Sequence, residues 1–271
     1  MLYLCATPIG NLEDITLRVL RVLQEVSVIY CEDTRHSRIL LRHFNIDKPL
    51  IACHEHNEAE KAIEICERVL SGESVAYLSD AGMPCISDPG ARIVRTAIEM
   101  NVPYTVLPGA TAFATALAIS GYDSDAFAFY GFLERSGKQR KTVLERIIQS
   151  DITSIIYESP NRIAATLADI TEYDSQRRVC IVREITKMYE QRIEGEAKEL
   201  INRIEQYGIK GECVLIIDKK AEVKAEYSQI ESRAKALRKE YSTKEAAEIL
   251  SFEFGISKNE AKKILLSLID K

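Results

Sequence analysis

Four turns rich in glycine and proline contain the residues best suited to hold a small ligand. They lie at residues 8–10, 80–84, 87–90 and 108–110. Each lies at or near the carboxyl end of a predicted strand, which is where open α/β sheets bind their ligands. Glycine at such a position lets a ligand approach the backbone closely. One such turn would be an ordinary loop, but four together predict a ligand-binding edge.

The usual phosphate-binding sequences are absent. No G-x-G-x-x-G follows a predicted strand, and the chain has no G-x-x-x-x-G-K-[ST]. A dinucleotide or a nucleoside triphosphate is therefore not the expected ligand. Glu32 and Asp33 follow a strand, as the ribose-binding carboxylate of dinucleotide-binding folds does. Without the glycine pattern, this ribose-binding role is not favoured for them.

Three charged segments follow predicted strands and could do acid–base chemistry, at residues 32–35, 158–162 and 183–187. Polar groups at the ends of neighbouring strands can face one cleft, where a carboxylate or an amine can move a proton. The spacings within the last two segments fit plain ion pairs equally well. Both interpretations therefore stay open.

The segment His54-Glu55-His56 is the one candidate for a metal site. The chain contains four histidines, and no other residues show a spacing typical of metal ligands. We therefore predict no metal, and we interpret this segment as a polar loop that contacts substrate or simply faces solvent.

The first 110 residues alternate between strand-like and helix-like hydrophobic periods. The predicted strands are 2–6, 28–31, 75–79 and 103–107, and the predicted helices are 15–26, 37–44, 58–70 and 91–100. This alternation predicts a mostly parallel sheet covered on both faces. The pattern breaks at residues 121–125, so we predict an N-terminal α/β domain over residues 1–120.

A second α/β domain is predicted over residues 121–218. Its strands are 127–132, 153–157, 179–183, 189–193 and 213–218, and its helices are 138–149, 163–172 and 197–206. The fourth strand follows the third with no helix between them. A parallel connection needs a crossover, so this sheet is predicted to be mixed.

The strands cease after residue 218. Residues 219–227 are typical of a linker, and helices are predicted at 230–240, 244–254 and 258–268. Ser242 and Ser257 each precede a glutamate by three residues, which fits a capping box, and Gly255 fits a helix end. Residues 228–271 therefore resemble a small all-α helix-turn-helix module.

Composition places the chain among globular proteins of a reducing compartment. The 271 residues are 46% hydrophobic and 28% charged, which excludes a disordered chain or a coiled-coil rod. No apolar run reaches the roughly 18 residues of a membrane span, and the N-terminus lacks the features of a signal peptide. Seven scattered cysteines indicate free thiols rather than a disulfide framework. We expect a cytoplasmic protein.

Charge is unevenly distributed along the chain. The net charge is −5, but residues 219–271 carry 12 basic and 9 acidic side chains. In the last predicted helix Ala261, Ile264, Leu265 and Leu268 share one face, which leaves Lys258, Asn259, Lys262 and Lys263 exposed. Such an end of a helix-turn-helix module contacts nucleic acid, although solvated lysines would explain the pattern as well.

Long motifs in the sequence resemble the tetrapyrrole-methylase-fold family. The most specific are TPIGNLEDIT at residues 7–16 and DAGMPCISDPG at residues 80–90. Shorter matching blocks lie at 31–35, 54–58, 131–133, 157–162, 183–190 and 211–215. The chain is most similar to the branch of that family that methylates bacterial small-subunit ribosomal RNA. It departs from the family pattern at Met83, where threonine is usual, and at Thr111, where serine is usual.

The resemblance implies two α/β domains with S-adenosylmethionine in the cleft between them, in a homodimer. It implies transfer of a methyl group to the ribose 2′-oxygen of a cytidine in the decoding region of 16S rRNA. The expected partners are therefore 16S rRNA or the small ribosomal subunit. Its implied cofactor contacts are Pro8, Gly10, Asp80, Ala81, Gly82, Pro84, Ile86, Gly109, Thr111, Phe132, Ser159 and Val214.

Methyl transfer to a ribose hydroxyl needs alignment of donor and acceptor and a group that helps the proton leave. Glu158 or Glu184 could accept the proton, and Lys187 could accept it or stabilise the alkoxide. Candidate RNA contacts are Asp33, Arg35, His54, Asn57, Arg162, Arg183, Lys258 and Lys262.

Two other functions stay open at this point. One is a methylase of the same fold that acts on a tetrapyrrole or in the diphthamide pathway, and the other is a non-catalytic RNA-binding protein of the ribosome. The helical tail favours an RNA substrate over a small ring.

Overall fold

The computed structural model describes residues 1–220, 227–254 and 256–268. The chain divides into two compact units, Met1–Lys220 and Ala221–Lys271. Each unit has its own hydrophobic core.

The first unit begins with a five-stranded, fully parallel sheet. Its strands are β1 (Leu2–Cys5), β2 (Val28–Cys31), β3 (Leu50–Ala52), β4 (Val75–Leu78) and β5 (Tyr104–Leu107), in the order β3-β2-β4-β1-β5. Its helices are α1 (Leu17–Glu25), α2 (Thr34–His43), α3 (Glu58–Leu70) and α4 (Ala91–Glu99). Separate clusters of buried residues lie on the two faces of the sheet. The prediction of a parallel sheet covered on both faces is confirmed.

The second sheet of this unit is mixed, as predicted. Its strands are β6 (Phe127–Phe132), β7 (Thr153–Glu158), β8 (Arg178–Arg183), β9 (Gln191–Glu196) and β10 (Cys213–Ile217), in the order β6-β7-β10-β8-β9. Only β6 and β7 pair in parallel. Three helices, α6 (Lys138–Gln149), α7 (Pro160–Tyr173) and α8 (Ala197–Tyr207), share one core with the sheet.

One helix, α5 (Ala112–Ser120), packs on the other face of the second sheet. Ala116 and Leu117 of α5 are buried in a cluster with Ile155, Cys180 and Val182. The sequence analysis did not predict α5, because its residues are apolar on all sides and show no helical period. The second sheet thus takes a covering helix from residues before the predicted boundary at 121–125.

Three other sequence predictions need correction. Strand β3 was not predicted, since it has three residues and none of them is fully buried. Helix α2 begins at Thr34 rather than at residue 37, because the Asp33 side chain accepts a hydrogen bond from the N–H of Arg35 and caps it. Strand β9 begins at Gln191 rather than at residue 189, because Glu190 donates its N–H to Lys187 O in a turn (3.0 Å).

The second unit contains three short helices, α9 (Tyr227–Leu237), α10 (Thr243–Phe254) and α11 (Lys258–Ser267), around one small core. The capping box of Ser242 is present, since Glu245 accepts its N–H and donates its own N–H to the hydroxyl. Ala261, Ile264 and Leu265 are buried as predicted, and Lys258 and Lys262 are exposed. Residues 221–226 of the predicted linker, and Gly255, lie outside the described residues.

Candidate active site

A cavity of about 390 Å³ lies in the first unit, between loops of the parallel sheet and the second sheet. Loops that follow β1, β4 and β5 form one side, which we call the first wall: residues 9, 81–83, 86–88 and 111–112. Residues 132, 157–160, 185 and 211–214 form the opposite side, the second wall. Eight predicted site residues line the cavity: Ala81, Gly82, Ile86, Thr111, Phe132, Glu158, Ser159 and Val214.

Backbone hydrogen bonds fix the turn after β4 in the first wall. Thr7 and Gly82 exchange two backbone hydrogen bonds, of 2.9 and 3.0 Å. Gly82 has φ +81°, and an added Cβ would lie 3.2 Å from Cγ2 of Ile9. Cys85 and Ser87 also have positive φ angles, of +73° and +63°. Non-glycine residues adopt such angles at a cost, which is tolerated where the loop geometry serves a site.

Two predicted cofactor glycines make room for other parts of the protein. An added Cβ on Gly10 would lie 2.6 Å from Cγ of Lys187, and one on Gly109 would lie 2.7 Å from Cβ of Ala6. Neither glycine lines the cavity. The absence of a side chain at these two glycines therefore allows Lys187 and Ala6 to pack against the backbone. Contact of either glycine with a cofactor stays a prediction.

Pro8, Asp80 and Pro84 also lie behind the cavity lining. Both prolines are buried. The carboxylate of Asp80 accepts a hydrogen bond from the N–H of Asp33 (3.1 Å), so it joins the turn after β4 to the start of α2. Asp80 thereby holds the cavity loop in place.

Lys187 lies beside the second wall in an ion-paired cluster. Its Nζ donates to Glu184 Oε1 (3.0 Å) and to Glu212 Oε2 (2.9 Å). Burial lowers the pKa of Lys187, but the hydrogen bonds to Glu212 and Glu184 outweigh it, so its net pKa lies above the usual value. Lys187 is therefore a fixed cation at neutral pH, suited to stabilise an anion rather than to accept a proton.

Glu184 is held just as firmly in the same cluster. The backbone N–H of Glu212, followed by the Lys187 ammonium, lowers the pKa of the Glu184 carboxyl. Its φ is +51°, and that of Thr186 is +64°. An added Cβ on Gly211 would lie 2.4 Å from the Glu184 carboxyl carbon. Glu184 is thus a weak base that positions Lys187 in a strained loop.

Glu158 reaches the cavity but has both oxygens occupied. Oε1 accepts from the N–H of Ser159 (2.9 Å) and lies 3.2 Å from Nε of Arg162, while Oε2 accepts from Thr166 (2.8 Å). Arg140 lies 4.0 Å from the same carboxylate. The side chain is almost fully buried. This geometry favours a positioning role at the start of α7, and a role as base stays a prediction.

Asp88 is a cavity residue whose side chain the sequence analysis did not single out. Burial, and then the nearby charges of Glu32 and Asp80, raise its pKa to about 6. The residue belongs to the turn at 87–90, so its loop was predicted to bind a ligand. The signal for the side chain itself was a set of three acidic residues after two neighbouring strands. Glu32 follows β2, and Asp80 and Asp88 follow β4.

The other lining residues that were missed are mainly apolar, including Ile9, Met83, Tyr157 and Ile185. The ring of Tyr157 packs at 4.9 Å from that of Phe129 and 5.3 Å from that of Phe132. These residues were missed because apolar side chains that line a cavity look like core residues in a sequence.

Five of the predicted RNA contacts do not line the cavity: Asp33, Arg35, His54, Asn57 and Arg183. Asp33 pairs with Arg35 (2.7 Å), whose hydrogen bonds lower the pKa of Asp33 to about 2. The N–H of His54 donates to the Asn57 side chain (2.8 Å). Arg183 donates to Lys210 O (2.8 Å).

The remaining predicted RNA contacts are Arg162 and two lysines. The guanidinium of Arg162 donates to Leu133 O and Glu134 O, at 2.9 and 3.0 Å. Lys258 pairs with Glu248 (2.9 Å) in the second unit. All of these RNA contacts remain predictions.

No group of three or more His, Cys, Asp or Glu in the described part of the chain is arranged to hold a metal ion. No helix within the same residues is long and apolar enough to cross a membrane.

The chain belongs to the tetrapyrrole (corrin/porphyrin) methylase family, whose model matches residues 1–201. It is similar to two relatives that are each named ribosomal RNA small subunit methyltransferase I. The relative from Haemophilus influenzae is 41% identical over 277 residues, covering 100% of this chain and 98% of its own. The relative from Pasteurella multocida is 42% identical over 266 residues, covering 96% and 94%. The family predicted from the motifs is confirmed.

Solved structures of the same fold are more distant in sequence. A cobalt precorrin-4 methyltransferase has a TM-score of 0.61 and 17% identity, covering 80% of this chain and 94% of its own. A uroporphyrin-III C-methyltransferase from Thermus thermophilus, complexed with S-adenosyl homocysteine, has a TM-score of 0.56 and 18% identity, with coverage of 80% and 96%. These likenesses confirm the predicted fold class.

Proposed function

We propose that this protein is a cytoplasmic methyltransferase that uses S-adenosylmethionine to methylate the ribose 2′-hydroxyl of a cytidine in the decoding region of 16S rRNA. The observation that carries the proposal is the similarity over the whole chain to a relative named ribosomal RNA small subunit methyltransferase I. The cavity between the two sheets supplies a place for the cofactor, and its residues are those that the family motifs contain.

The cavity fits S-adenosylmethionine in size and chemistry. Its volume of about 390 Å³ falls within the roughly 300–1,000 Å³ typical of small-molecule sites. Ile9, Ile86 and Val214 offer apolar surface for an adenine ring. An added Cβ on Gly82 would lie 3.2 Å from Cγ2 of Ile9, so a side chain would crowd this turn. Glycine on the cavity lining leaves bare backbone that a ligand can approach closely. When bound, this cofactor supplies a methyl group on a positively charged sulfur.

The residues of the chain have distinct parts in the proposed reaction. The first wall binds and orients the cofactor, while the second wall limits where the ribose can enter. Lys187 stabilises the negative charge that develops on the 2′-oxygen. Asp88, with its pKa raised to about 6, is the carboxylate of the cavity best poised to accept the proton near neutral pH.

We further propose that the protein is a homodimer. Strand β5 is an edge of the parallel sheet and exposes Tyr104 and Val106. An exposed apolar edge of this kind is normally covered in a native assembly. Light scattering on the purified protein tests this, and a monomer at all concentrations would contradict it.

The main experiment tests cofactor and acceptor separately. The purified chain is titrated with S-adenosylmethionine by calorimetry, and then incubated with labelled cofactor and either free 16S rRNA or small subunits from cells lacking this gene. We expect saturable binding and one 2′-O-methylcytidine, identified by mass spectrometry of the digested RNA. Label on a base, or on a small-ring substrate instead of RNA, would exclude the proposed acceptor. Failure to bind the cofactor would favour a non-catalytic RNA-binding protein.

A further inference from the structure

A second cavity, of about 520 Å³, lies in the first unit beside the loop from β6 to α6. Four cationic side chains line it, against two acidic ones: Arg135, Arg140, Lys141 and Arg162, with Asp169 and Glu172. Residues 1–218, in contrast, carry 24 basic and 32 acidic residues. The cavity is therefore a local concentration of positive charge on an acidic body, which attracts an anionic ligand.

Two of these four cations already form hydrogen bonds and ion pairs within the protein. Arg140 is 8% exposed, and it donates to Asp169 (2.6 Å) and to Glu134 O (3.1 Å). Arg162 donates to the same Glu134 oxygen (3.0 Å) and pairs with Glu158. Both guanidinium groups thus hold the loop from β6 to α6 in one shape.

The other two cations are available to a ligand. Arg135 and Lys141 are exposed, and within the described residues neither makes a side-chain hydrogen bond or an ion pair. Helix α6 begins between them, after Gly137, with no side-chain cap and no acidic residue in its first turn. Its uncompensated helix dipole adds positive potential to that of the two side chains.

Residues that line the two cavities lie close together in the sequence. Phe132 and Pro160 line the first cavity, while Arg135 and Arg162 line the second, each two or three residues further along the same loop or helix. A polymer with one residue at the first cavity would therefore bring its neighbouring backbone to the second.

We propose that Arg135 and Lys141 bind the phosphodiester backbone of RNA next to the nucleotide whose ribose enters the first cavity. This inference rests on the proposed function, because that function makes the ligand a polyanion. The rigid loop places two unpaired cations where the flanking phosphates pass. These side chains position the RNA without reading its sequence.

The test compares two double variants of the full chain. Arg135→Ala/Lys141→Ala removes the proposed phosphate-binding cations, whereas Lys198→Ala/Arg203→Ala removes the same charge from exposed positions of α8 that line neither cavity. Binding to transcribed 16S rRNA is measured by filter retention over a range of KCl concentrations. Cofactor affinity is measured by calorimetry on the same samples.

We expect the first variant to bind the RNA about tenfold more weakly. The salt slope, which is the slope of log affinity against log KCl concentration, should be smaller in magnitude by about 0.7 for each phosphate that the protein no longer neutralises. Its cofactor affinity should match that of the wild type, which shows that the site still folds. Equal RNA affinity and salt slope in the two double variants would overturn the inference. Wild-type protein that binds the RNA but transfers no methyl to ribose would overturn the proposed function instead.

Discussion

The two walls of the first cavity hold their groups by different means. The first wall is built from tight turns, backbone hydrogen bonds and residues with positive φ, and within the described residues none of its side chains forms an ion pair. The second wall and the residues behind it are held by ion pairs, around Glu158 and around Lys187. A shape-selective surface thus faces a surface of fixed charges.

This difference indicates that the turns of the first wall bind the cofactor, whereas the fixed charges of the second wall act in the reaction. A backbone turn can fit a ligand closely but offers little charge to a reaction, whereas a fixed cation stabilises charge as it develops. Substitutions in the turns of the first wall should therefore change cofactor affinity, and those in the second wall should change turnover or stability. Asp88, the proposed proton acceptor, is the one first-wall side chain expected to affect turnover as well as binding.

The largest effect is expected for Arg140→Ala, which leaves Glu158 without one of its two cations and Asp169 without its partner. Removing one member of a buried pair costs about 3–5 kcal/mol of unfolding free energy, and we expect the low end of that range because the Asp169 side chain is 38% exposed and Glu158 keeps Arg162. Urea denaturation measures the loss, with Arg135→Ala as the exposed control on the same loop. Equal stability of the two variants would show that the buried charges do not hold the second wall.

The fold was predicted from sequence wherever hydrophobic periods were regular. Helices α3 and α6 have the predicted bounds, and the mixed sheet followed from two strands with no helix between them. The missed elements, β3 and α5, are a three-residue strand and a helix without a polar face. Neither carries a period that a sequence can reveal.

The site was predicted less completely, because its geometry depends on packing between distant residues. The turn at Gly82 was identified from its sequence alone. The packing of Gly10 on Lys187 joins residues 177 positions apart, so no local pattern could indicate it. The pKa of Asp88 is raised by burial, by Glu32 from the loop after β2 and by Asp80 from its own loop, and only the folded chain brings Glu32 close to the other two.

The next largest effect is expected for Lys187→Ala. Loss of one group that stabilises a developing anion lowers turnover by about a hundredfold, while cofactor affinity should not change, since Lys187 lies beside the second wall and not in the wall that binds the cofactor. Gly10→Ala should lower turnover in the same direction, because its Cβ would displace the lysine side chain.

The control for this pair is Lys210→Ala, which removes an exposed lysine that lines neither cavity. Single-turnover methylation of small subunits gives the rate, and calorimetry gives the cofactor affinity. Wild-type turnover in the Lys187→Ala variant would show that this lysine beside the second wall takes no part in the reaction.

A smaller effect, of about tenfold in cofactor affinity, is expected for Gly82→Ala. The added Cβ meets Ile9 at 3.2 Å, and a tenfold weaker affinity corresponds to about 1.4 kcal/mol of binding free energy. Gly72→Ala is the matched control, because Gly72 also has a positive φ, of +101°, but has no atom within 4 Å of the added Cβ.

Both glycine variants should lose similar stability from backbone strain, so thermal unfolding separates that shared cost from the loss of binding. If both bind the cofactor equally, the turn at Gly82 does not form the binding surface. The first wall would then differ from the second only in structure and not in function.

The smallest effect concerns pH and the one acidic side chain of the first wall. Because the pKa of Asp88 is raised to about 6, its carboxyl is neutral below that pH and negative above it. A cationic sulfonium ligand should bind about fivefold more tightly at pH 7 than at pH 5, as expected for a partly screened charge pair of about 1 kcal/mol. S-adenosyl homocysteine lacks that charge, so its affinity should change little.

Asp88→Asn should abolish the pH dependence for S-adenosylmethionine and leave that for S-adenosyl homocysteine unchanged. The free energy of unfolding changes in the opposite direction to the affinity for S-adenosylmethionine. A carboxyl with a raised pKa makes the folded state less stable as pH rises from about 4 to about 6. A wild-type affinity that weakens over the same range would therefore report partial unfolding rather than charge recognition. Calorimetry with both ligands distinguishes the two, because unfolding weakens both and titration of Asp88 affects only the cation.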